Sequence, residues 1–127
     1  MTKFIEDYMN IIQQKYNIWE KTRPEWNNAE MYLKWLIDEI KEVWDEIKDK
    51  NTIYLEDELW DILWDYLNVL FYLEKEWKIT SWKKVFERSF DKYTERVSDQ
   101  WKWILWKQTK EKQKARLQEE HKTTYQE

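Results

Sequence analysis

The chain predicts an all-α fold, on three observations. It has no glycine and one proline, Pro24, so tight hairpins that need positive φ are hard to build. Charged residues make up 38% and apolar residues 42% of the 127 positions, a balance suited to amphipathic helices with solvated outer faces. Apolar residues recur mostly at helical intervals. The expected architecture is a four-to-five-helix bundle, with a helical domain over 1–97 and a helical tail over 98–127.

The elements follow in order. Phe4, Ile5, Tyr8, Ile11, Ile12 and Trp19 give a first helix over 2–20. Pro24 then disfavours helix at Arg23 and removes a backbone donor. Asn27 or Asn28 can cap a second helix, with Glu30 in its first turn. Its apolar stripe is Leu33, Leu36, Ile37, Ile40, Val43, Trp44 and Ile47, ending near Lys48. Residues 49–52 read as a short turn, so a third helix over about 53–77 returns antiparallel. That helix carries Leu55, Leu59, Ile62, Leu63, Tyr66, Leu70 and Leu73 as its apolar face.

Thr80 or Ser81 can cap a fourth helix through Trp82, Val85, Phe86, Phe90 and Tyr93 to about Val97. WKWILW then supplies an aromatic cluster that could dock on the bundle or on another subunit. The remaining segment has almost nothing to bury and reads as a solvated helix fraying towards its end. Its basic cluster of Lys107, Lys110, Lys112, Lys114 and Arg116 reads chiefly as a solvated charged face.

Bulk properties exclude several classes. A net charge of −4 argues against general nucleic-acid binding. Without cysteine there is no disulfide and no thiolate zinc site. No apolar run approaches the roughly 20 residues of a membrane span, and the N-terminal MTKFIEDYMN lacks a signal-peptide pattern. The expectation is a cytoplasmic protein with neither membrane nor nucleic-acid partner. Eleven tryptophans and eight tyrosines fill the core and favour association, so a homodimer or homotetramer is expected.

Two acidic triplets carry the chemistry. Glu39, Glu42 and Glu46, and then Glu58, Asp61 and Asp65, each run i, i+3, i+7 and form a carboxylate stripe. At about 100° per residue, each stripe lies roughly 100–160° to the same side of the apolar stripe centred on Ile40 or Leu59. The second triplet has no Lys or Arg at i±3 or i±4, and Asn68 continues it. Unpaired like charges on one helix face destabilise it unless a cation or ligand offsets them. The only histidine, His121, lies in the tail, which disfavours zinc and di-iron carboxylate sites. An all-oxygen donor set suits Mg²⁺, with Mn²⁺ possible, and with it phosphoryl or nucleotidyl transfer to water.

Glu39-x-x-Glu42 followed by Glu58-x-x-Asp61 resembles the EExxE…ExxD motif of the all-α MazG-like nucleoside triphosphate pyrophosphohydrolases, a superfamily that includes the dimeric dUTPases. ELWDILWDYLNVL is similar to the family's second metal helix, and Lys92-Tyr-Thr-Glu-Arg96 to its later Lys-x-x-x-Arg element. The likeness covers about residues 28–97. Two positions depart from the pattern: Asp38 replaces the first Glu, and Trp60 stands where many members have Gly.

The resemblance implies hydrolysis of a nucleoside triphosphate to the monophosphate and pyrophosphate. Glu39, Glu42, Glu58 and Asp61 would hold Mg²⁺, Glu39 or Glu42 would orient the attacking water, and Lys92 and Arg96 would clamp phosphate oxygens. Trp35, Asn68 and Trp19 are candidates for contact with the nucleobase. A dUTPase-type activity and a non-catalytic helical assembly with a Trp-rich binding surface are the alternatives.

Overall fold

A computed structural model describes residues 2–126. The described residues form five α-helices and no strand: α1 (Thr2–Thr22), α2 (Ala29–Glu46), α3 (Thr52–Lys75), α4 (Trp82–Trp101) and α5 (Trp106–Thr124), with a 3-10 turn at Pro24–Trp26. The all-α expectation holds. The chain divides into two compact units, residues 1–82 and 83–127.

In the first unit, α2 and α3 form an antiparallel hairpin, and α1 packs on α3. Pro24 opens the 3-10 turn, where its missing N–H costs nothing. Asn28 is the cap of α2, its side chain accepting from the Met31 amide at 3.0 Å. Glu76, just past α3, accepts from the Ala29 amide at 3.0 Å and so ties the start of α2 to the end of α3. At the other end of the hairpin Asn51 donates to the Glu46 carbonyl at 2.7 Å and to its carboxylate at 2.6 Å. Asn27, the other cap candidate, is a junction instead. It donates to the Tyr16 carbonyl at 3.2 Å and accepts from the Tyr72 hydroxyl.

The core holds Met9 and Ile12 of α1, Ala29 and Tyr32 of α2, and Leu67 and Val69 to Tyr72 of α3. Much of the aromatic content gathers here. Tyr32 stacks between Trp19 and Tyr72, at 6.1 and 5.5 Å between centroids, and Tyr16 meets Phe71 edge-on at 5.5 Å.

The roll of α2 about its axis differs from the sequence expectation. Leu33, Ile37, Ile40, Trp44 and Ile47 face outward, with Ile40 51% and Trp44 79% exposed. The face turned towards α3 carries Tyr32, Leu36, Glu39 and Val43. On α3, Leu59 and Tyr66 are likewise exposed, while Glu58, Asp61 and Asp65 are not. Each apolar stripe was expected to face the core, with its acids alongside. Instead the acids occupy the seam, because Tyr32 and Tyr72 lock α2 in that orientation. Trp60 points outward and is half exposed, lining a small surface hollow with Leu59 and Leu63.

In the second unit α4 runs unbroken to Trp101, past the expected end at Val97. The tail is an ordered helix, α5, docked antiparallel to α4 through polar groups. Thr109 donates to Asp99 at 2.8 Å, Arg96 to Gln113 at 2.8 Å, and Arg116 to Glu95 at 2.6 Å. Arg88 pairs with Glu120 further along. The tail lacked apolar residues to bury, but the seam is built from hydrogen bonds and charge pairs instead.

Lacking glycine, the chain places Lys50, Trp77 and Trp103 in the left-handed region, at φ 56°, 60° and 62°. Trp77 and Trp103 close α3 and α4: Lys78 donates to the Leu73 carbonyl at 2.9 Å, and Ile104 to the Asp99 carbonyl at 3.0 Å. Glycine is the usual occupant of this position, since a Cβ is penalised there. Trp77 is 92% exposed, so its ring contributes little packing. Trp77→Gly should therefore raise the urea midpoint, by about 1 kcal/mol in unfolding free energy; a fall would show that the indole packs after all.

Candidate metal centre

The site begins with the inward roll of α2. Glu39 on α2 and Glu58 and Asp61 on α3 meet across the seam, with one carboxylate oxygen from each within 4.8 Å of the others. All three side chains are partly buried. Glu39 Oε2, Glu58 Oε2 and Asp65 Oδ2 are buried without a hydrogen-bond partner. Buried carboxylate oxygens are costly when unpaired, and two of the three belong to the Glu39–Glu58–Asp61 cluster, a donor set that suits a cation. Hard oxygen donors of this kind fit a divalent ion such as Mg²⁺.

The electrostatics agree. Burial first, then the neighbouring Glu58 carboxyl and the charges of Glu42 and Asp61, push the Glu39 carboxyl up to about 8. Burial likewise raises Glu58 and Asp61, with Glu42 adding to both. Glu42 itself is exposed at the edge of the group, close enough to act on all three but outside the tight cluster. Asp65 lies one turn beyond Asp61, buried, and raised to about 6 by burial and by the Asp61 charge. Glu46 is drawn away to the Asn51 clamp.

The three candidates for base contact also converge. Trp19 and Trp35 meet edge-to-face at 6.4 Å, and Trp35 packs against Tyr32 at 4.9 Å. Asn68 is fully buried, donates to the Trp64 carbonyl at 2.8 Å and accepts from Lys15.

Lys15 is the residue that sequence reasoning missed. Its ammonium donates to the Tyr32 hydroxyl at 2.5 Å and to Asn68, and lies 4.0 Å from the Tyr32 centroid and 4.7 Å from that of Trp19. Burial lowers it to about 7, against the opposing pull of Asp65. The signal was present: Tyr8, Ile12, Lys15 and Trp19 fall at i, i+4, i+7, i+11, which places a lysine within an apolar stripe.

Lys92 and Arg96 belong to the second unit. Lys92 is exposed, its ammonium 5.6 Å from the Tyr93 ring, and its carbonyl accepts from Gln113 at 2.8 Å. Arg96 is buried, its guanidinium 5.2 Å from each of the Tyr93 and Trp106 rings.

The helix pair thus opposes acids in the order ExxE then ExxD, with Glu39, Glu58 and Asp61 partly buried and Glu42 at the exposed edge. Residues 27–101, more than half of the chain, match the MazG nucleotide pyrophosphohydrolase domain. The chain belongs to that family. No curated protein and no solved structure matched it.

Metal-free protein should become less stable as pH rises. A carboxyl raised above its unfolded value stabilises fully below that value and loses the contribution as pH climbs through the folded one. For Glu39 the window runs from 4.5 to about 8, and for Asp65 from 3.8 to about 6. In EDTA, urea midpoints should fall from pH 5 to pH 8. Glu39→Gln, neutral throughout, should flatten that fall and gain on the order of 1–2 kcal/mol at pH 8. A wild-type midpoint that rises over this range would mean the acids are not desolvated.

Proposed function

We propose that this protein hydrolyses a nucleoside triphosphate to the monophosphate and pyrophosphate in a Mg²⁺-dependent reaction, with Mn²⁺ as a possible substitute. The observation that carries the reading is the Glu39–Glu58–Asp61 cluster with its unpartnered oxygens. Glu39, Glu42, Glu58 and Asp61 hold the metal, which, when bound, neutralises triphosphate charge and lowers the pKa of water. Glu39 or Glu42 takes a proton from the attacking water. A new bond forms from that oxygen to the α-phosphorus, the α–β anhydride bond breaks, and pyrophosphate leaves with the electron pair. Lys92 and Arg96 contact phosphate oxygens. The base lies against Trp19 and Trp35, a reading supported by their convergence around Tyr32 and Lys15, while Asn68, fully buried, holds Lys15 from behind rather than meeting the base itself.

Purified protein with Mg²⁺ should release pyrophosphate from at least one of a panel of canonical and modified nucleoside triphosphates. Glu42→Gln and Asp61→Asn should each lower kcat by roughly 100-fold or more with unchanged far-ultraviolet circular dichroism. Absence of turnover for every nucleotide, with Mg²⁺ and with Mn²⁺, would sink the enzymatic reading. Turnover confined to dUTP would assign the dUTPase branch.

The active form is a homodimer or homotetramer. Leu33, Ile37, Ile40, Trp44 and Ile47 make an outward apolar stripe running about 20 Å along α2, more than a soluble protomer ordinarily leaves uncovered. A second copy covers it. Ile40→Glu should shift the species seen by analytical ultracentrifugation to monomer. A wild-type protein that sediments as a monomer at micromolar concentration contradicts this assembly.

A further inference from the structure

The cations of α5 divide into two sets that the sequence does not separate. Lys112 and Arg116 turn towards α4 and are neutralised there: Lys112 pairs with Asp99 at 3.2 Å and Glu95 at 3.5 Å, and Arg116 with Glu95 at 2.6 Å. Lys107, Lys110 and Lys114 lie at i, i+3, i+7 and make no ion pair among the described residues. These three line a groove with a volume of about 670 Å³ between α4 and α5, together with Lys92 and Arg96 from α4. Glu111 is the one carboxylate in its lining. Five cations to one acid give the groove a strong positive potential, although the whole chain is acidic. The imbalance extends to the whole unit: residues 83–127 carry twelve Lys and Arg against eight Asp and Glu.

Arg96 marks the groove as built rather than incidental. Only 7% of it is exposed, and its Nε is fixed by Gln113 at 2.8 Å. Gln113 is held in turn by the Lys92 carbonyl and by Glu95, at 2.8 and 2.9 Å. The Tyr93 and Trp106 rings are both committed to the guanidinium. Trp106 is the one aromatic ring in the groove lining, with the guanidinium against it, whereas single-stranded nucleic acid generally stacks its bases on several rings. The lysine ladder rises about 10 Å from Lys107 to Lys114, suited to several linked anionic groups rather than one.

We propose that the α4–α5 groove binds a chain of linked phosphates, with Lys107, Lys110 and Lys114 forming a wall that lies outside the family match of residues 27–101. It shares Lys92 and Arg96 with the phosphate contacts of the proposed hydrolase and rests on that reading at those two residues. A nucleoside triphosphate and a free inorganic polyphosphate present the same chemistry to it.

The test is calorimetric titration of the full chain in EDTA, where hydrolysis does not occur, with inorganic tripolyphosphate, a nucleoside triphosphate and orthophosphate. Tripolyphosphate should bind, with affinity falling as salt rises, and orthophosphate should bind far more weakly. The triple variant K107Q/K110Q/K114Q should weaken tripolyphosphate binding by about tenfold or more, while K112Q, whose cation is already paired, leaves it within twofold. The nucleoside triphosphate matching tripolyphosphate would identify the phosphates as what is read; its binding alone would overturn the proposal. So would absence of binding, equal affinity for orthophosphate, an unaffected triple variant with native circular dichroism, or an equal loss in K112Q. Because no turnover is read, failure here leaves the hydrolase reading standing, and inactivity in the Mg²⁺ assay leaves this one standing.

Discussion

Like-charge repulsion across the α2–α3 seam is the constraint on which the first unit depends. Glu39, Glu58 and Asp61 are held together with two of their oxygens buried and unpartnered, and Asp65 adds a third such oxygen one turn away. Without a cation the cost falls on protonation: burial first, and the charges of Glu42 and Asp61 after it, displace the Glu39 carboxyl upward. The rest of the unit opposes that repulsion. The Asn28 and Glu76 bonds fix one end of the hairpin, the Asn51 clamp fixes the other, and the Tyr32–Tyr72 stack holds the middle. Stability is surrendered at the seam and recovered around it, a pattern common where a protein must bind charge.

The aromatic wall has a related logic. Lys15 is a partly buried cation whose neighbours are rings, an amide and a phenol, with Asp65 as its electrostatic counterweight. A polar group taken even partly out of water is costly unless it is engaged. Lys15 engages Tyr32 and Asn68 together, and so couples the acidic seam to the tryptophans of α1 and α2. Two of the tryptophans, Trp19 and Trp64, are placed here against one ammonium.

The helices, the Asn28 cap, the antiparallel hairpin and the meeting of Glu39 with Glu58 and Asp61 are legible because each rests on local spacing or local capping chemistry. What was not legible depended on partners distant in sequence. The roll of α2 was misjudged because hydrophobic periodicity reports an apolar face without saying what covers it. Ile40 and Trp44 satisfy the pattern while facing outward. α5 read as a solvated tail because a seam made from Thr109, Gln113 and paired charges leaves no apolar periodicity. Lys15 was visible as an anomaly in the α1 stripe, yet its meaning required Asn68, fifty-three positions away.

The outward stripe of α2 bears on how the unit folds. Hydrophobicity and chemistry sit on opposite sides of one helix, so within a single chain the two drives disagree. Desolvation alone would turn α2 on its axis to bury Ile40 and hydrate Glu39. Such a helix is frustrated, and its native azimuth is chosen by its ends and by one stacked tyrosine rather than by its own amphipathicity. Sequence changes at Asn28, Tyr32 or Asn51, none of which bears a charge, therefore act as changes to the angular setting of the acids.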